Sequence, residues 1–188
     1  MKLIPLCFCA LSTTVLSSYA ALDVRVEQEE IAERGKVTRY FVQSSSAEFA
    51  LNPPHGWTAQ RKPSDDTLLF ASERFGAVFT IRFLSTPFPK TEKELNVLLA
   101  QRWPSIISKD EASCVSRDSQ GIAMDVIYPA ADSTLYHTRN GFLPYGKAGV
   151  EFVLTAPEDN FLRVQSSWVS VLNSFSKAQI NAASENAR

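Results

Sequence analysis

Two apolar runs joined by a tight turn constrain this chain more than any other feature. Thr67-Leu68-Leu69-Phe70-Ala71-Ser72 reads as a buried-type strand, and Arg74-Phe75-Gly76 as its turn. Ala77-Val78-Phe79-Thr80-Ile81-Arg82-Phe83-Leu84 follows, with Phe79, Ile81 and Phe83 on one face. A parallel pair needs a crossover of a dozen residues or more, so neighbours this close must be antiparallel. The same pattern recurs at Gly121–Tyr128, Thr134–Arg139 and Ala148–Thr155, with a weaker candidate at Ala112–Arg117. The alternation predicts an antiparallel sheet built largely from short connections.

Two segments break the strand period. Thr91-Glu92-Lys93-Glu94 is a capping box, in which the Thr91 hydroxyl accepts from the Glu94 N–H and the Glu94 carboxylate accepts from the Thr91 N–H. Leu95, Leu98, Leu99 and Trp103 then form one stripe of a helix at about 91–103, limited by Pro104. After Pro157-Glu158-Asp159-Asn160, apolar residues fall at Phe161, Val164, Trp168, Val171, Leu172 and Phe175, the spacing of a long amphipathic helix. Glu158 and Asp159 sit where the helix dipole favours anions. Strands, helix, strands, helix is the order of an α+β fold, with helices packed on a central antiparallel sheet.

The first twenty residues read as an address. Met1-Lys2 precedes an apolar run to Leu16, and Ser18-Tyr19-Ala20 offers a small-x-small cleavage point. This matches a secretory signal peptide and is too short for a membrane span. Export to the periplasm or beyond, with cleavage near Ala20, is the expectation. Lys2, Cys7 and Cys9 would leave with the leader, so a mature chain has 18 basic and 20 acidic residues and only Cys114. A lone cysteine cannot form an internal disulfide; its bland reading is a small buried hydrophobe. The full chain has 19 basic and 20 acidic residues, and that balance argues against a nucleic-acid partner. Residues 21–46 read as a β-hairpin turning at Glu33-Arg34-Gly35-Lys36, 47–177 as the compact domain, and 178–188 as a flexible tail.

Phe49-Ala50-Leu51-Asn52-Pro53-Pro54-His55-Gly56-Trp57 resembles the strand, Pro, Gly-Trp entry of the Mog1/PsbP-like fold, which includes DcrB-like bacterial envelope proteins. The hairpin ending in Gly149-Val150-Glu151-Phe152-Val153-Leu154 and the closing Trp168-Val169-Ser170-Val171-Leu172-Asn173-Ser174-Phe175 run are similar too. The resemblance covers about 47–177 and rests on core residues. It implies an α/β/α sandwich, with the hairpin added before it, and an accessory or binding role. Members include a subunit supporting the photosynthetic oxygen-evolving complex, a regulator of a nuclear transport GTPase and bacterial envelope proteins. No functional residue carries over.

Candidate chemistry is sparse. No G-x-S-x-G elbow, H-E-x-x-H helix or P-loop occurs, so no catalytic residue, metal ligand or cofactor site is assigned. Of the two histidines, His55 reads as a turn residue and His137 as a sheet-face residue. The pairs Asp65-Asp66 and Glu158-Asp159 read as a turn and a helix start. Arg82, His137 and Arg139 are read as sharing one sheet face beside Tyr136 or Tyr128, either as a binding surface or as a solvated face. Phe142, Leu143 and Tyr145 are read as a sticky hairpin tip and the preferred contact site; folded inward, they would merely cover the core. The leading expectation is an exported, non-enzymatic binding or assembly module of the bacterial envelope with a protein partner. One alternative is a carrier of a small apolar ligand lined by Phe79, Phe83 and Trp168. Another is a hydrolase using His55 or His137.

Overall fold

A computed structural model describes residues 22–31, 35–44, 47–61, 67–84, 87–146 and 148–178. The expected leader, Glu33-Arg34, Asp65-Asp66 and the tail beyond Ala178 lie outside the described residues. Strands β1 (Asp23–Ile31), β2 (Gly35–Gln43) and β3 (Glu48–Leu51) precede β4 (Thr58–Arg61), β5 (Thr67–Ser72) and β6 (Ala77–Leu84). Helix α1 (Glu92–Arg102) leads into β7 (Ser108–Val115), β8 (Gln120–Pro129), β9 (Leu135–Tyr145) and β10 (Ala148–Pro157). Helix α2 (Glu158–Ser174) is followed by β11 (Ser176–Lys177). The strands form two wholly antiparallel sheets. One has the order β1-β2-β3-β11, the other β4-β5-β6-β10-β9-β8-β7.

The expected hairpin at 21–46 is present as β1 and β2. It is also stitched to β3, because Tyr40–Gln43 pair with Glu48–Leu51 and Val42 is fully buried. The core therefore does not begin at 47. The turn between β5 and β6 is a short 3-10 segment ended by Gly76 at φ 60°, a left-handed position that suits glycine. The α1 capping box forms as its sequence predicts, with Thr91 and Glu94 exchanging both bonds.

The large sheet has two unlike faces. Phe70, Phe79, Ile81, Phe152 and Leu154 point toward α2, whose Phe161, Val164, Trp168, Val171 and Leu172 are buried against them. The Trp168 indole N–H donates to the Ser113 carbonyl at 2.9 Å, so the largest ring of the core has its polar edge satisfied. The small sheet closes on the same side through Phe49, whose ring lies 5.3 Å from Phe83 and 5.3 Å from Phe175. On the other face, Leu95 and Leu99 of α1 bury Met124, Val126 and Phe142 in a smaller cluster with Phe88. The layers run helix, sheet, then helix with the small sheet.

Cys114 and Gly141 show how tightly the α2 side is filled. Cys114 is buried, and burial pushes its thiol up to about 12, which keeps it protonated and inert. A Cβ on Gly141 would come within 2.9 Å of both the Cys114 sulfur and the Trp168 ring. Gly141→Ala should therefore destabilise the protein by about 1–3 kcal/mol in urea unfolding, the usual cost of overpacking. An unchanged midpoint would show that Trp168 can move aside.

Candidate interaction surface

The structure separates residues that strand alternation groups together. Arg82 pairs across the ladder with Glu151, on the α1 side of the sheet. His137 and Arg139 lie on the α2 side, where Arg139 contacts Phe161 and Trp168. The expectation that the three share a face is thus corrected: side chains alternate along a strand, and the pairing register puts Arg82 out of phase with the other two. Tyr136 and Tyr128 are on Arg82's side, directly opposite each other across the β8–β9 ladder.

The hairpin tip is also corrected. β9 runs through to Tyr145, so Phe142 and Leu143 are strand residues and the turn lies beyond them at Gly146. Phe142 is 2% exposed and Leu143 fully buried, on opposite faces of the sheet. Tyr145 is half-buried against Phe49 and Phe175, and its hydroxyl lies 3.2 Å from the Ser116 hydroxyl. Burial pushes that phenol up to about 12, against the smaller opposing effect of the Ser116 contact. These rings cover the core rather than project from it.

The pocket expected between Phe79, Phe83 and Trp168 is closed. Each of these residues is at most 5% exposed, and Phe79 packs against Trp168 at 5.8 Å and Phe152 at 6.5 Å. An apolar pocket does exist on the α1 side, lined by Phe88, Ile122, Phe142 and Pro144, but at about 260 Å³ it is small for a carried ligand.

Around His137 the structure builds a compact ionic cluster. Arg139 donates from Nε and Nη2 to the two oxygens of Asp125, both at 2.7 Å. The His137 ring stacks on Phe161 with centroids 3.5 Å apart, its Nδ1 2.9 Å from Glu158 Oε2 and its Nε2 3.4 Å from Asp125 Oδ2. Neither His137 Nε2 nor Glu158 Oε2 gains a well-aligned hydrogen bond. The groups around His137 are carboxylates and rings, with no serine or cysteine side chain bonded to it among the described residues. Burial favours the neutral Asp125 carboxyl, but Arg139 and then His137 outweigh it and hold the group below the usual carboxylate range.

The α1 side carries its own buried charge. Glu151 is 2% exposed and accepts from Arg82 Nη1 at 3.1 Å, Arg102 Nη1 at 2.6 Å and Asn140 Nδ2 at 3.0 Å. Arg102 is the last residue of α1, so the carboxylate ties that helix end to the middle of the sheet. Beyond this clamp α1 no longer covers the strands. The register sets Thr58, Ala71, Val78 and Thr155 in one row and Gln60, Leu69, Thr80 and Val153 in the next. All eight are half-buried or exposed, and none is charged. Beside them Trp103, Tyr128 and Tyr136 stack in series, with centroids 5.2 and 6.2 Å apart. A solvated sheet face ordinarily carries charges; an uncharged bed of Thr, Val, Ala and Leu flanked by stacked aromatics has the composition of an interface core. Sequence periodicity marked these residues as strand, but the short reach of α1 is what leaves them uncovered.

The layering makes this an α+β protein with a helix on each face of a large antiparallel sheet. No protein-family model matches the chain, and no curated protein does. Among solved structures, LpqN, involved in cell envelope biogenesis of Mycobacterium tuberculosis, is similar with a TM-score of 0.52 at 10% identity, over 83% of this chain and 92% of that one. A Bacteroides thetaiotaomicron protein aligns at 0.48 and 13% identity over 70% of this chain, which spans only 46% of that protein. Cyanobacterial PsbP (CyanoP) from Synechocystis aligns at 0.41 and 13% identity, over 89% of this chain and 99% of that one. The likeness to LpqN is one of fold. Among the described residues, no helix is long and apolar enough to cross a membrane.

Each charged cluster makes a prediction. Glu151→Ala strands Arg102 and Asn140 and should cost about 3 kcal/mol of stability, whereas Arg82→Ala, at a largely solvated partner, should cost less than about 1. Equal costs in chemical denaturation would mean that Glu151 is not the anchor. Because Asp125 titrates lower when folded, its contribution is complete above the ordinary carboxylate pKa of about 4 and is lost as pH falls through the folded value. The stability gap between wild type and Asp125→Asn should therefore narrow from about pH 5 toward about pH 2; a constant gap would contradict the ion pair.

Proposed function

We propose that this chain is an exported, non-enzymatic binding or assembly module of the bacterial envelope that docks a protein partner on the uncovered face of its large sheet. The single observation that carries this reading is the uncharged two-row bed of Leu69, Ala71, Val78, Thr80, Val153 and Thr155 beside the Trp103–Tyr128–Tyr136 stack. The secretory leader read in residues 1–20 and the fold shared with LpqN, an envelope biogenesis protein, support the compartment. A flat, strand-built platform loses little entropy on docking, since its side chains are already held by their neighbours.

A photo-crosslinking residue placed at Val78 should give a discrete adduct in envelope extract. The same residue at Leu162, 81% exposed on the outer side of α2, should not. Adding Thr80→Arg should abolish the Val78 adduct without lowering the melting temperature. Adducts of equal yield at both positions, or one indifferent to Thr80→Arg, would remove the platform from the reading.

A further inference from the structure

We propose that a second site, the groove where β2, the Asn52–Trp57 turn and α2 meet, binds an anionic saccharide. The groove is about 610 Å³, within the range of small-molecule sites at roughly 300–1,000 Å³. It lies on the small-sheet and α2 side of the molecule, away from the platform proposed for a protein partner.

Its polar lining is Lys36, Thr38, Tyr40, Asn52, His55 and Ser170. Among the described residues, none of these six side chains makes a hydrogen bond or ion pair with the rest of the protein. At Glu151 and Asp125, by contrast, the charged side chains of the large sheet are paired. Here an ammonium, an imidazole, an amide and three hydroxyls line one groove with no partner from the protein among the described residues. Trp57 and Tyr40, both half-buried, supply ring surface, and Tyr40 is held edge-on against Phe70 at 5.4 Å. Ring faces with free hydroxyl, amide and ammonium partners suit a sugar, which offers C–H faces to rings and hydroxyls to polar groups. Among the described residues, Lys36 and His55 line the groove and no carboxylate does, so a carboxylate- or phosphate-bearing sugar is favoured over a neutral one.

The far wall is preorganised. Pro53 and Pro54 fix their φ angles, Gly56 takes φ 76°, and the Trp57 N–H donates to the Pro54 carbonyl at 3.2 Å. The Asn52 N–H donates to Ser174 Oγ at 2.9 Å, which locks the turn to α2 through the backbone and leaves the Asn52 side-chain amide for a ligand.

The test is calorimetric titration of the full chain with tetragalacturonate, glucose 1-phosphate, maltotetraose, inorganic phosphate and AMP. Binding is expected for tetragalacturonate or glucose 1-phosphate, and which of them binds identifies the anion. It should weaken roughly tenfold with Lys36→Gln and with Trp57→Ala, and fall with added salt. Because Trp57 also packs on the core, the exposed pair Lys36→Gln and His55→Gln carries the test if Trp57→Ala does not fold. Equal affinity for maltotetraose, inorganic phosphate or AMP would overturn the assignment. So would no heat with either acidic sugar, or binding indifferent to the variants.

Discussion

An aromatic seam holds the two sheets together, and Phe175 sits in it. This residue follows the last turn of α2 and lies 5.3 Å from Phe49 in the small sheet and 5.0 Å from Phe152 in the large one. Its N–H closes the helix on the Val171 carbonyl, and the next two residues pair with β3. A single position thus ends a helix, fills an aromatic seam and starts a strand. Because β11 is only two residues long, its ladder cannot hold the small sheet in place alone; buried ring surface must do so.

That seam uses up one side of the seven-stranded sheet. Helix α2 and the small sheet both gather on it, and among the described residues a single eleven-residue helix packs on the other side. Eleven residues rise about 16 Å, less than the width of seven strands spaced about 4.8 Å apart. The uncovered bed follows from this mismatch. Glu151 stands at the boundary, with Arg102 reaching it from the helix side and Arg82 from the open side.

Much of this architecture was legible in the residues. The Thr91–Glu94 box, the Phe161-to-Phe175 stripe and the tight turn at Gly76 are local signals, and each formed where its chemistry placed it. What could not be read was phase between distant strands. Arg82 and Arg139 look alike as alternating strand positions, yet the β6–β10–β9 register puts them on opposite faces. Phe142 and Tyr145 sit among Asn, Gly and Pro residues that spell a loop, but β10 captured that stretch as strand. A turn-like composition gave way to the burial of two large rings.

The hairpin has a mechanical consequence. Among the described residues, only Tyr40–Gln43 of β2 are braced by β3, and no strand pairs with the outer half of the β1–β2 ribbon along either long edge. A two-stranded ribbon on its own is only marginally stable, whereas the proline turn across the groove is tied to α2. Lys36 and Thr38 sit on the ribbon and Asn52 on the anchored turn. The gap between them is bounded like the jaws of a vice, with one jaw held by its own two-stranded ladder and the other anchored to the helix.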